Sequence, residues 1–196
     1  MVCFGESSLT YRVVHRQDSS KCEQISINKV HHVFDVRDSR VDHMTSWGDF
    51  RKLEPEMSAK VEQLFSIRKH KTIATLRADG SPRISGIECE FSDEQLTFGS
   101  MEGARKSADL HRDPRFALHS PTMDPVEGAE ASWPGEAKIA GTATRMDVIS
   151  EDGAPVGEQF EAEIAEVVFV HLNETATALV IEWWTPDQGF RRVERE

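Results

Sequence analysis

The stretch Ile73-Ala74-Thr75-Leu76-Arg77-Ala78-Asp79-Gly80-Ser81-Pro82-Arg83 decides the fold. Its opening, with Thr72 before it, is rich in β-branched residues and reads as a strand. Asp79-Gly80 between two strand-like runs is a hairpin signal. The return run, Arg83 to Phe91, carries apolar Ile87, Cys89 and Phe91 in alternation with Glu88 and Glu90, so one face is buried and one is wet.

Outward from this hairpin the same grammar repeats. Ser92 to Gln95 is a turn, and Leu96-Thr97-Phe98-Gly99-Ser100 is a strand. A short helix is predicted from about Ala104 to His111. Arg112-Asp113-Pro114 stops it, because the residue before proline is pushed out of the α region. Arg115 to His119 is a strand, Pro121 to Pro134 a polar loop, and Ala137 to Thr144 a strand with Val148 as its furthest extent. A helical turn is predicted over Gln159 to Ala165. Strands follow at Val167 to His171 and Ala178 to Trp184, then a charged tail from Gly189 to Glu196. Upstream, Pro55 suits the first position of a helix whose Val61, Leu64, Phe65 and Arg68 recur at helical spacing, running to about Lys69.

These signals predict a mainly β domain over residues 44–196, a barrel with short helical caps. A closed barrel removes exposed strand edges. Residues 1–43 differ: Tyr11-Arg12-Val13-Val14 and Val33-Phe34-Asp35-Val36 are broken by polar residues without helical period. They predict a poorly ordered N-terminal extension. A second reading makes Met44 the native start and the first segment upstream sequence.

Charge and composition exclude several function classes. In 196 residues, 34 Asp plus Glu stand against 23 Lys plus Arg, a net charge of -11, which disfavours nucleic acid as main partner. No apolar run is long enough to span a membrane, and Met1 to Thr10 lacks the pattern of a signal peptide. Cys3, Cys22 and Cys89 are odd in number and widely spaced, with no Cys/His pattern of zinc type. No metal site is expected, and a reduced, cytoplasmic setting fits best.

Three blocks, in order, carry a resemblance. They are Ile73 to Arg83; Leu96 to Ser100 with Arg105-Lys106-Ser107-Ala108-Asp109-Leu110 and Asp113 to Leu118; and Gly135 to Ala143. Together they resemble the pyridoxamine 5'-phosphate oxidase-like superfamily of FMN-binding split β-barrels. The resemblance implies a homodimer with the cofactor in a groove between protomers. Arg83, Arg105 and Lys106 would bind its phosphate, with Ile84 and Ser85 beside Arg83. Ser100 and the Gly99 backbone would flank the ribityl chain. Ser85 reads equally as a barrel-lining hydroxyl. Arg105 and Lys106 read otherwise as ordinary surface charges. Trp133 would reach across the dimer to the flavin ring, or pack as a rim aromatic on its own barrel.

Elementary electrostatics agrees with a phosphate there. The first turn of a helix has unpaired N–H groups and partial positive charge. Arg68, Lys69, Lys71, Arg77 and Arg83 against Asp79 make a local charge of +4. Asp109 and Asp113 read as helix and turn chemistry, and Asp147, Glu151 and Asp152 as solvated loop charges. Trp183 and Trp184 should point to opposite faces, the outer one toward a dimer interface.

Flavins and deazaflavins carry the hydride chemistry themselves, so a catalytic acid or base need not be visible. The resemblance therefore implies an oxidoreductase acting on a small conjugated substrate. True pyridoxamine phosphate oxidases end in an aromatic, arginine-bearing segment that holds substrate phosphate. Trp183 to Arg195 does not align with it. The sequence looks more like the actinobacterial branch that uses FMN or coenzyme F-420. The polyglutamate tail of F-420 would need extra cations, for which Arg68, Lys69 and Lys71 are candidates. The alternatives are a non-catalytic cofactor- or haem-binding barrel, with His111, His119 or His171 as axial ligand, and a dimeric scaffold without cofactor.

Overall fold

The computed structural model describes residues 44–146 and 157–196. The N-terminal extension, the strand limit at Val148 and the loop charges Asp147, Glu151 and Asp152 lie outside them. The helices are α1 Trp47–Leu53, α2 Pro55–Ser66 and α3 Arg105–Arg112. The strands are β1 Lys71–Leu76, β2 Pro82–Phe91, β3 Leu96–Ser100, β4 Arg115–His119, β5 Glu136–Met146, β6 Glu158–Leu172, β7 Leu179–Thr185 and β8 Gly189–Arg195.

The opening hairpin forms as its sequence dictates. Arg77 N–H donates to Ser81 O at 2.9 Å, and Asp79 Oδ1 accepts from Ser81 N–H at 2.9 Å, an Asx-type turn. On β2, Ile87 and Cys89 are buried while Glu88 and Glu90 are exposed. Burial pushes the Cys89 thiol up to about 11, so it packs as a small hydrophobe. All strand pairs are antiparallel, in the order β3-β2-β1-β4-β5-β6-β7-β8. A further β3–β6 pairing closes the first six into a barrel, leaving β7 and β8 as a hairpin on the outside of the circuit.

The long strand β6 makes that closure possible. One of its edges pairs with β5 from Gln159 to Val170. The other pairs with β3 up to Glu161 and with β7 from Val167. Between these partners lies a β-bulge. Ala140 faces Glu166 but Gly141 faces Ile164, so Ala165 has no partner on β5. The bulge resets the side-chain phase: Phe160, Ala162 and Ile164 point into the core before it, Val167 and Phe169 after it. Gly141 is required there, because a Cβ at that position would run into the Glu163 carbonyl.

The helices plug the ends. Thr45 fills the gap in the β6 edge by exchanging two backbone hydrogen bonds with Ile164, at 3.1 and 2.8 Å. Ser46 then caps α1 through its hydroxyl, which accepts from Asp49 N–H. Trp47 and Phe50 of α1 are fully buried. Trp47 meets Phe91 at 4.7 Å between ring centroids, and Phe50 meets Trp184 at 4.9 Å. On α2, Val61, Leu64 and Phe65 are buried, as the helical spacing requires. Trp184 faces the core and Trp183 is half-buried on the opposite face.

The structure corrects three sequence expectations. Gln159 to Ala165 is not a helical turn but part of β6, its period-2 pattern concealed by the bulge. The tail from Gly189 is not loose: it forms β8, paired with β7 along seven residues. Its charges are those of an edge strand, where they discourage pairing with other chains. The first of the two N-terminal helices, α1, gave no periodic signal, and α2 stops at Ser66 rather than Lys69. Among the described residues, no helix is long and apolar enough to cross a membrane.

Replacing Gly141 with alanine forces the bulge against the Glu163 backbone. The expected result is a loss of about 1–3 kcal/mol, the range for overpacking. It should be read as a lower urea midpoint at unchanged m-value; an unchanged midpoint would disprove the steric account.

Candidate functional site

Helix α3 sits over one end of the barrel and is fixed there by a buried carboxylate. Asp109, 3% exposed, accepts from Thr75 Oγ1 on β1 at 3.0 Å and from Arg83 Nε on β2 at 2.5 Å. Arg112, one helical turn on, gives one Nη2 hydrogen to Asp109 Oδ1 at 3.1 Å and also reaches the Leu76 carbonyl. The Arg83 guanidinium, against the opposing effect of burial and with help from Arg112 and Thr75, lowers the Asp109 carboxyl to about 2. This network sets where the first turn of α3 lies.

That first turn opens on a groove. Gly103 adopts φ +70°, a left-handed conformation suited to glycine, and turns the chain into the helix. Ala104 occupies the N-cap and offers no side-chain cap. The Arg105 and Lys106 amides therefore lack an intrahelical acceptor, while Ser107 N–H donates to Ala104 O at 3.0 Å, and the positive end of the helix dipole lies here. Lys106 extends from this turn over β2, where its Nζ donates to Gly86 O at 2.7 Å. The groove beside it measures about 940 Å³ and is walled by Gly86, Gly99, Ser100, Lys106 and Gln159. Glu88, Glu90 and Glu102 stand along it, and Lys69, 3.1 Å from Glu88, offsets the charge of that residue. A flavin phosphate fits the donor set at the α3 end: an uncapped helix start, one lysine ammonium and the Ser100 hydroxyl.

The structure brings only part of the predicted set together. Gly99, Ser100 and Lys106 share the groove. Arg83 and Arg105 line a separate cleft of about 380 Å³ with Arg77 and Arg112. Ile84 projects from the outer face of β2, 75% exposed, beside an apolar hollow that includes Ala74 and Ala117. Ser85 is half-buried in β2 opposite Ile73. Trp133 donates its Nε1–H to Met123 O at 2.7 Å, within its own loop. Lys71 is buried with its Nζ on Lys69 O.

Of the histidines named as axial ligands, His111 Nε2 pairs with Glu158 at 3.0 Å. His119 and His171 direct Nδ1 to the next residue's carbonyl, at 2.7 and 2.8 Å. None of the three lines the groove; His70 does. Among the described residues no three His, Cys, Asp or Glu side chains are placed to hold a metal ion. Two participants escaped the sequence reading. Gln159 lay in the segment read as helical, and Asp109 looked like ordinary helix chemistry because its partners stand 26 and 34 residues away.

No protein-family model and no curated protein sequence matches the chain. Solved structures do match. A pyridoxamine 5'-phosphate oxidase-related, FMN-binding protein from Nostoc punctiforme aligns at a TM-score of 0.51 with 10% identity, over 72% of this chain and 95% of its own. PhzG from Burkholderia lata, solved with tetrahydrophenazine-1-carboxylic acid, aligns at 0.52 with 11% identity, over 81% and 100%. HutZ, a haem storage protein of Vibrio cholerae, aligns at 0.42 with 16% identity, over 57% and 89%. The fold is the pyridoxamine 5'-phosphate oxidase-like split barrel.

The depressed Asp109 pKa ties stability to pH. Because the folded value lies below the ordinary one, its contribution is complete above the usual carboxylate range and is lost as pH falls toward 2. Asp109→Asn should lower stability at pH 7 by about 3 kcal/mol, since Arg83 then keeps a nearly buried charge without its counterion. The gap from the parent protein should narrow between pH 4 and about 2. Urea titrations across that range test this, and a gap independent of pH would overturn it.

Proposed function

We propose that the chain binds a flavin-type cofactor, FMN or F-420, in the groove along β2 and β3 and serves as an oxidoreductase. The observation that carries this reading is the uncapped first turn of α3 beside the Lys106 ammonium, opening on a groove large enough for a tricyclic ring. Lys106 and the first-turn amides hold the phosphate. Gly99 and Ser100 flank the ribityl chain, and the flat outer surface at Gly86 receives the ring. The bound cofactor supplies hydride chemistry for a small conjugated substrate. The protein binds it, orients it and shields one face. Haem has less support, since none of the three histidines named for it lines the groove.

A homodimer completes the site in this reading. The outer face of the barrel carries the exposed Ile84 beside a hollow that includes Ala74 and Ala117, while Lys69 pairs with Glu88 at 3.1 Å and Lys138 with Glu136 at 2.8 Å within the protomer. A two-fold axis near Ile84 buries that side chain and the hollow beside it at the centre of the interface.

Titration of the cofactor-free full chain with FMN and with F-420, followed by fluorescence, tests the cofactor. One of them should bind, and Lys106→Ala should weaken that binding by about 1.5–3 kcal/mol, the range for hydrogen bonds to charged groups. Binding of neither, or an unchanged affinity in the folded variant, would remove the reading. For the dimer, light scattering should give twice the chain mass at micromolar concentration, and Ile84→Asp should halve it. A monomeric parent protein would refute the shared site.

A further inference from the structure

The turn between β3 and α3 carries one side chain to which the groove has so far given no part. Met101 is 84% exposed and lines the groove together with Ser100 and Lys106. Its backbone is fixed. The Met101 carbonyl accepts from Ala104 N–H at 3.2 Å and from the Ser100 hydroxyl at 3.3 Å. Gly157 packs against this turn: a Cβ there would stand 2.5 Å from Ser100 O and 3.7 Å from Met101 Cα. A rigid turn thus holds an uncovered thioether at the groove.

The other methionines among the described residues are protected. Met57 lies in the core at 3% exposure. The Met44 sulfur accepts from Thr142 Oγ1 at 3.1 Å, and the Met123 sulfur from Arg68 Nη2 at 3.8 Å. Met146 also lines the groove, but it is half-buried at the end of β5. A thioether reacts with peroxide through a sulfur lone pair, so burial and hydrogen bonding at sulfur both slow the reaction. Cys89 is buried with its thiol pushed up to about 11, so it supplies little of the reactive thiolate.

We propose that Met101 is an oxidation site that controls cofactor binding: hydrogen peroxide converts its thioether to the sulfoxide, and the sulfoxide lowers the affinity of the groove for FMN. The effect on affinity rests on the flavin reading of the groove; the site of oxidation does not. In the step the peroxide O–O bond breaks. One oxygen bonds to the sulfur, which gives up two electrons, and the other oxygen leaves as water. The oxidant is the hydrogen peroxide formed when dioxygen takes two electrons and two protons from a reduced flavin, so it arises in the groove that Met101 lines. The sulfoxide oxygen is a polar acceptor where the thioether was a weak one. It stands three residues before the Ala104 N-cap and competes with a phosphate for the Lys106 ammonium and the free Arg105 and Lys106 amides.

The test treats the flavin-free full chain with dilute hydrogen peroxide and follows each methionine by peptide mass spectrometry. Met101 should gain one oxygen at least about tenfold faster than Met57, and ahead of Met44, Met123 and Met146. FMN titration of the treated chain, followed by fluorescence, should show an affinity about tenfold weaker than before treatment, equivalent to roughly 1.4 kcal/mol. Methionine sulfoxide reductase with a dithiol should restore it. In Met101→Leu, which has no sulfur at that position, peroxide should leave the variant's own affinity where it stood. Oxidation of Met101 no faster than of Met123 or Met146, an FMN affinity that does not fall on oxidation, or an equal fall in Met101→Leu would each overturn the proposal. The untreated chain reports on the cofactor reading by itself. FMN binding there with no change after oxidation sinks only the oxidation switch, whereas no FMN binding before treatment sinks the cofactor reading and the switch together.

Discussion

β6 holds β5 along one edge while its other edge changes partner in mid-strand, from β3 to β7. A barrel that closes on β3 and a hairpin that leaves through β7 both depend on that exchange. Where neither partner is present, the backbone of Ile164 needs acceptors and donors, and Thr45 supplies them. The segment that satisfies those groups leads directly into α1, whose Trp47 and Phe50 fill the interior behind the gap. Backbone hydrogen bonding and core packing are thus met by the same short segment, Thr45 to Phe50. Buried N–H and C=O groups tolerate no other arrangement without loss of roughly a few kcal/mol.

The other end of the barrel is organised by charge rather than by apolar contact. Asp109 joins β1, β2 and α3 through three partners. A buried ion pair of this kind is weak as a source of stability but strict about geometry. It holds α3 against the β1–β2 turn and so presents Lys106 to one side and the cleft of Arg83 and Arg105 to another. The same interaction that closes this end therefore divides the positive charge into two places.

Much of this was legible in the sequence because local signals and tertiary structure agree. The Asp79-Gly80 turn, the alternation on β2 and the Pro114 stop after α3 all act over a few residues. The blocks carrying the resemblance fell on β1 to β5, and the split barrel followed. What escaped is non-local. The bulge at Ala165 breaks the period of β6 in its middle, so Phe160 and Ile164 fit helical spacing as well as alternation. β8 is a strand through its backbone pairing to β7, and its own side chains are mostly charged. In the site, Gly99, Ser100 and Lys106 share a groove as a continuous motif would suggest. Whether Arg83 faces that groove depends on Asp109, and no local pattern reports this.

The β7–β8 hairpin stands apart from the closed circuit in a way that bears on how such a chain can diversify. The six-stranded ring is complete without it, and among its aromatic side chains only Trp184 enters the core. The hairpin is an annex anchored by Trp184, by the fully buried Val180 and by six residue pairs with β6. Its turn can lengthen and its outer strand can be rewritten residue by residue without altering the register by which the ring shuts. New recognition surfaces can accumulate there while the barrel stays as inherited.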